Sequence, residues 1–253
     1  MGRSALMRIG LNFVMSQSRR TEQAKQRLRF LERESYMRGY AASALISQFP
    51  DAVAFNVFYA GLTNEQKDEF LRIASSYLFL VRQGDWHVDV EGSNRVIDYF
   101  TNSFKLVSLF SLIESLSSEK HQDFYEWLAH PVEEIFPITD KAALKQHHER
   151  YKATFGSIRR CVAFFKRLPL PRQAELLGSI KIGGAPVKSV KDMAKFLYNL
   201  RSKFVHEGEL VLDIANVPIM SCHNNASTLT DLSMPTLLQA FEEGVVAHFK
   251  HAT

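Results

Sequence analysis

Two side chains five positions apart, Arg201 and His206, combine the groups that phosphodiester cleavage asks of a protein. An imidazole exchanges a proton near neutral pH, and a guanidinium stabilises the charge of a phosphorane-like centre. Such a pair can cleave RNA without a metal, by activating a ribose 2′-hydroxyl against the neighbouring phosphate. A third group, Glu114, is a candidate partner that would hold Arg201 in place. The same residues admit a structural reading. Arg–Glu pairs fasten packed helices, and a histidine in a last helical turn often caps carbonyls. The spacing accommodates both.

The element that must position the pair spans residues 189–208, SVKDMAKFLYNLRSKFVHEG. Ser189 is a natural N-cap, Asp192 an acid in the first turn and Gly208 a C-terminal stop. At about 100° per residue, Val190, Met193, Phe196, Leu197, Tyr198, Leu200, Phe204 and Val205 fill one apolar arc. Lys191, Lys195, Asn199, Ser202, Lys203 and His206 fill the other. Arg201 projects from the middle of the apolar arc, where a group that keeps its proton must find an anion or reach water. His206 lies about 140° away around the helix, so a twofold dimer presenting two copies is one way to assemble a site from both.

Glu114 stands out by the same test. Residues 94–118 read as a long, largely buried helix on which Val96, Phe100, Ser103, Val107 and Phe110 form a stripe that Glu114 extends. A helix resuming near Asp140 runs to Pro169, and between Arg150 and Arg172 there is no acidic residue. Arg159, Arg160, Lys166 and Arg167 are interleaved there with Phe155, Phe164 and Phe165, a pattern that suits an RNA-facing surface and equally a core helix with solvated charges.

The remaining chain reads as scaffold. Residues 18–49 predict one long helix, strongly basic in its first half, whose charges fit a solvated surface with i,i+4 pairs better than a nucleic-acid face. Residues 52–62 form an apolar run of undecided type. Residues 62–84 predict a helix with Thr63 and Gln66 as a capping box. Residues 85–92 alternate like a short strand, and the best boundary follows it. Residues 120–139 are an irregular, proline-interrupted connection, 181–189 a loop, 209–222 hold a short extended piece, HNNASTLTD is a polar loop, and 233–249 form a closing helix.

Composition supports this picture. The 253 residues are 46% hydrophobic and 23% charged, with 19 phenylalanines and few glycines or prolines, which favours packed helices over a turn-rich β protein. A net charge of +4 permits an anionic partner without requiring one. Two cysteines imply no disulfide framework. Arg8, Asn12 and Ser16 interrupt the first apolar residues, and no stretch reaches the roughly 18–20 apolar residues of a membrane span. The expectation is a cytoplasmic protein away from membranes. Adjacent His147 and His148 point to different sides of a helix, and no metal-ligand spacing, phosphate loop, dinucleotide fingerprint or esterase elbow occurs, so neither metal nor cofactor is expected.

LYNLRSKFVHEGEL (197–210) resembles the signature of HEPN domains, particularly the Apea-like branch, in which an Arg is followed after four to six residues by a His. LFSLIESL (109–116) is similar to the family's earlier helix, whose acid faces the Arg, and the closing helix fits the branch too. The resemblance covers roughly residues 95–253. It implies an all-α, HEPN-like helical bundle over 95–253; residues 1–94, which it does not cover, read as an N-terminal helical extension, so the whole is expected to be mainly all-α with one or two short strands. It further implies a homodimer formed through the motif helices and a metal-independent endoribonuclease of toxin or defence type, with an antitoxin or defence-system partner. Arg201 carries over as phosphate and transition-state stabiliser, His206 as general acid or base, and Glu114 as the acid facing the Arg. The residue after the Arg is usually Asn, Asp or His in active nucleases, and here that candidate catalytic position is Ser202. Lys195, Asn199, Lys203, Arg159, Arg160, Lys166 and Arg167 are the candidate RNA contacts. Other members of the family only bind nucleotides or scaffold assemblies, and there Arg201 and Glu114 would be structural.

Overall fold

Helix boundaries in this chain follow its capping residues. The computed structural model describes residues 28–85, 94–116, 124–129, 140–223 and 226–250. After a 3₁₀ turn at Leu31–Arg33, α1 (Glu34–Leu45) runs into a second such turn, Ile46–Gln48. The helix expected over 18–49 is therefore broken where it is described, and its residues up to 27 lie outside the described ones. The undecided run is helical: α2 (Ala52–Ala60) is capped by the Asp51 carboxylate, which accepts from Ala54 N at 2.7 Å. At the start of α3 (Asn64–Tyr77), Thr63 N donates to Gln66 Oε1 at 2.8 Å and Gln66 N to Thr63 Oγ1 at 3.3 Å. That is the expected capping box. The helix then widens into a π turn, Leu78–Arg82.

Next come α4 (Asn94–Ser115) and the short α5 (Phe124–Ala129), the latter inside the connection read as irregular. The single helix expected from 140 to 169 is two, α6 (Lys141–Phe155) and α7 (Ser157–Lys166). The break falls at Gly156, where a Cβ would meet the Lys152 carbonyl oxygen at 2.4 Å, so only glycine turns the chain this tightly. α8 (Leu170–Gly178), α9 (Val190–Glu207) and α10 (Met234–Lys250) complete the helices. The described chain is mainly helical with one small sheet.

That sheet is larger than the sequence suggested. It has four antiparallel strands in the order β2-β1-β4-β3: β1 (Ile180–Ile182), β2 (Ala185–Pro186), β3 (Ile219–His223) and β4 (Ala226–Thr230). The stretch 181–189, read as a loop, opens as a hairpin. Ile182 pairs with Ala185 across Gly183 and Gly184, whose φ values of 60° and 82° give the two-residue turn that only glycine adopts without strain. β4 occupies the stretch read as polar loop because Thr228 and Thr230, β-branched and buried, pair with Ile182 and Ile180 of β1. The strand read over 85–92 lies, beyond Asp85, outside the described residues.

One core runs through the described helices. Phe70 meets Phe249 at 5.4 Å, Tyr77 meets Phe241 at 4.9 Å and Phe164 meets Phe241 at 5.7 Å, so α3, α7 and α10 close on one another. Gly244 allows that closeness, since a Cβ there would lie 2.3 Å from the Phe164 ring. Against this frame α4, α7 and α9 pack mutually and hold the motif helix.

Candidate functional site

The motif helix is built as its caps dictate. Ser189 Oγ accepts from Asp192 N at 3.1 Å, and the Asp192 carboxylate accepts from Ser189 Oγ at 2.6 Å. At the other end Gly208 takes φ 72°, and its N–H donates to Phe204 O at 3.2 Å. Val190, Met193, Ala194, Phe196, Leu197 and Leu200 are buried. The apolar arc opens toward its C-terminal end, where Phe204 is half-buried against Phe104 at 5.1 Å and Val205 is 45% exposed. The segment after α9 is tied back to α4, with Val211 N donating to the buried Ser103 Oγ at 2.9 Å.

Arg201 points where the helical wheel puts it, into the junction of α4, α7 and α9. Its Cζ lies 5.5 Å from the centre of the Tyr198 ring, a cation–π contact, and its Nε is buried with no hydrogen-bond partner. Glu114, on the last turn of α4, also keeps a buried, unpartnered Oε1. The ion pair expected between the two is not formed among the described residues. A third charge enters the same junction: Arg160 of α7 donates from Nη1 to the Glu114 backbone carbonyl oxygen at 3.4 Å, leaving Nε and Nη2 buried and unpartnered.

The fully buried Cys161 marks the centre of this cluster. Burial pushes its thiol up to about 12; the Glu114 charge adds to the rise, and Arg201 and Arg160 oppose it. Such a thiol is no nucleophile near neutral pH. The junction therefore gathers two guanidinium groups and one carboxylate around an inert sulfur.

His206 is not part of it. The imidazole is exposed on the polar arc of α9, so one chain does not bring Arg201 and His206 together. The polar arc instead borders a cleft of about 810 Å³ between α9 and the β1–β2 hairpin. Lys195, Asn199, Ser202 and Lys203 line it, with Lys188 and Phe196. Lys203 donates to Glu209 at 2.7 Å, and this bond raises its pKa.

The basic residues of α7 divide among three settings. Arg160 enters the junction. Arg159 and Lys166 are exposed, and Arg159 donates to Thr154 O at 2.6 Å across the Gly156 break. Arg167 lies 2.9 Å from His248 Nδ1; burial, and secondarily the Arg167 charge, lower the His248 pKa to about 4. The expected RNA contacts thus do not form one continuous face: Lys195, Asn199 and Lys203 line the cleft, and Arg159, Arg160 and Lys166 of α7 and Arg167 just after it do not.

Sequence reasoning missed the place of Arg160 and the buried acid Glu242 of α10, only 7% exposed. Its carboxylate accepts from Tyr77 Oη at 2.6 Å, Gln48 Nε2 at 2.9 Å and Ser47 Oγ at 3.3 Å, with Arg82 Nη1 at 3.7 Å. Among the described residues no three His, Cys, Asp or Glu side chains gather as a metal site, and no helix is long and apolar enough to cross a membrane. Comparison with protein-family models, curated proteins and solved structures finds no match to the chain.

Proposed function

We propose that the protein acts on RNA as a metal-independent endoribonuclease of the HEPN type, with one site assembled from two copies of the chain. The observation that supports this reading is the division of labour along α9: Arg201 keeps an unpartnered guanidinium nitrogen, while His206 is exposed on the polar arc, whose Lys195 and Lys203 line the cleft with Lys188, Asp192 and Glu207. In the proposed reaction His206 takes the proton of a ribose 2′-hydroxyl, and the freed oxygen attacks the adjacent phosphorus. The 5′-oxygen departs with a proton taken from water, which regains one from the His206 imidazolium, leaving a 2′,3′-cyclic phosphate on one fragment and a 5′-hydroxyl on the other. Arg201 of the second copy takes the charge on the non-bridging oxygens, and the cleft lysines and Asn199 hold flanking phosphates. A toxin or defence setting with a protein partner goes with the same resemblance.

A second reading has its own observation. Arg201 is seated over Tyr198 within the helix junction, as a brace would be, and this favours a non-catalytic RNA-binding or assembly module. Incubation with RNA in a chelator separates the two. The nuclease reading expects cyclic-phosphate ends and a loss of about 10²–10⁴-fold in both His206→Ala and Arg201→Ala, each still folded. Cleavage by both variants at the wild-type rate, or no cleavage by any oligomer, refutes it.

A further inference from the structure

The junction of α4, α7 and α9 does not balance. Guanidinium groups stay protonated in proteins, so among the described residues Arg160 and Arg201 bring two fixed positive charges against the one carboxylate of Glu114. The hydrogen-bond count is uneven in the same sense: Arg160 Nε, Arg160 Nη2 and Arg201 Nε are buried donors without acceptors, against one free acceptor, Glu114 Oε1. Even if that carboxylate turned to serve one guanidinium as a fork, the other would be left without an anion among the described residues. Arg72, which reaches Ser115 Oγ at 3.4 Å and pairs with Glu69 at 3.6 Å, is a further cation and so brings no acceptor to the junction. The long bond from Arg160 to the Glu114 carbonyl caps the end of α4 and uses only one of its nitrogens.

We propose that Arg160 is a positioning residue: it competes with Arg201 for the single carboxylate of Glu114 and so leaves Arg201 to take a phosphate group as its anion. The inference rests on the ribonuclease reading only for the identity of that anion as an RNA phosphodiester. Arg160 then acts through Arg201. Without it Glu114 would close on Arg201 and neutralise the motif helix, which would gain stability and lose its grip on phosphate.

The test is a titration of the whole protein with inorganic phosphate, following the Arg Nε–H resonances by NMR, with thermal unfolding measured alongside. In wild type, phosphate shifts the Arg201 Nε resonance. In Arg160→Gln the apparent phosphate affinity falls at least tenfold, while the melting temperature stays the same or rises. Arg160→Lys, which keeps the competing charge, retains most of the affinity. In the double variant Arg160→Gln with Glu114→Gln no carboxylate captures Arg201, and phosphate binding returns. Unchanged phosphate affinity in Arg160→Gln, a double variant that stays weak, or a wild-type Arg201 resonance that ignores phosphate overturns the assignment. The expected pattern in a protein that cuts no RNA would support the role of Arg160 and refute the ribonuclease reading.

Discussion

Two acids, the buried Glu242 and the half-buried Glu114 with one buried carboxylate oxygen, face a similar problem and meet it differently. Glu242 sits among α1, α3 and α10 with a phenol, an amide, a hydroxyl and a guanidinium directed at its two oxygens. The π turn after α3 contributes by placing Arg82, which also donates to the carbonyl oxygens of Ser43 and Ala44. Burial, together with the bond to Glu242, raises the Tyr77 pKa, so the phenol remains a donor across the physiological range. Every member of that network is used within the chain. Glu114, by contrast, shares its junction with two guanidinium groups whose buried nitrogens find no partner. A satisfied network fixes helices relative to one another, whereas an unsatisfied one retains binding capacity.

The largest expected effect lies on the satisfied side. Glu242→Ala should cost about 3–5 kcal/mol, because it strands Tyr77 and Gln48 in the core. Urea unfolding measures it, and a loss below about 1 kcal/mol would erase the contrast between the two acids. Next is the packing that sets α10 against α7. Gly244→Ala drives a methyl group into the Phe164 ring and should cost about 1–3 kcal/mol by the same measurement. On the unsatisfied side, Glu114→Gln should cost only about 1 kcal/mol, since no formed ion pair is broken. A cost of about 3–5 kcal/mol would mean that Glu114 and Arg201 are paired after all.

The Arg167–His248 contact sharpens the comparison from a third side, because here a guanidinium meets a neutral acceptor. Folded His248 has a pKa of about 4, below the ordinary 6.5 that the unfolded chain restores. Between these values the unfolded state binds the extra proton, so stability is complete above the higher one and falls as the pH drops toward the lower. Unfolding at pH 7 and pH 4.5 should show that loss, and NMR titration of Arg167→Ala should find the His248 pKa moved upward. A midpoint that does not change with pH would remove His248 from the account.

Much of the motif helix was legible in the sequence. Ser189, Asp192 and Gly208 gave its ends, and a lone charge on an apolar arc singled out both Arg201 and Glu114. Arg160 was hidden because it lies at the border of the buried face of α7, within a run of cations that reads as solvated. Glu242 was hidden by its neighbour, since an acidic pair on an amphipathic helix suggests a wet surface; even Glu243 is half-buried, forming a fork with Arg172 at 2.7–3.2 Å. The β1–β2 hairpin did have a signal, two glycines between short apolar runs. The two threonines that pair with it lie more than forty residues downstream, beyond the reach of local pattern.

The central claim is that Arg201 of one copy and His206 of another serve one RNA phosphate, and complementation tests it most directly. Arg201→Ala and His206→Ala, each inactive alone, are mixed under conditions that exchange subunits and assayed on RNA in a chelator. Random exchange should return about a quarter of the wild-type activity, because half of the dimers are mixed and each of these holds one intact site of two. A mixture as inactive as its components, with mixed dimers demonstrably formed, would contradict the claim.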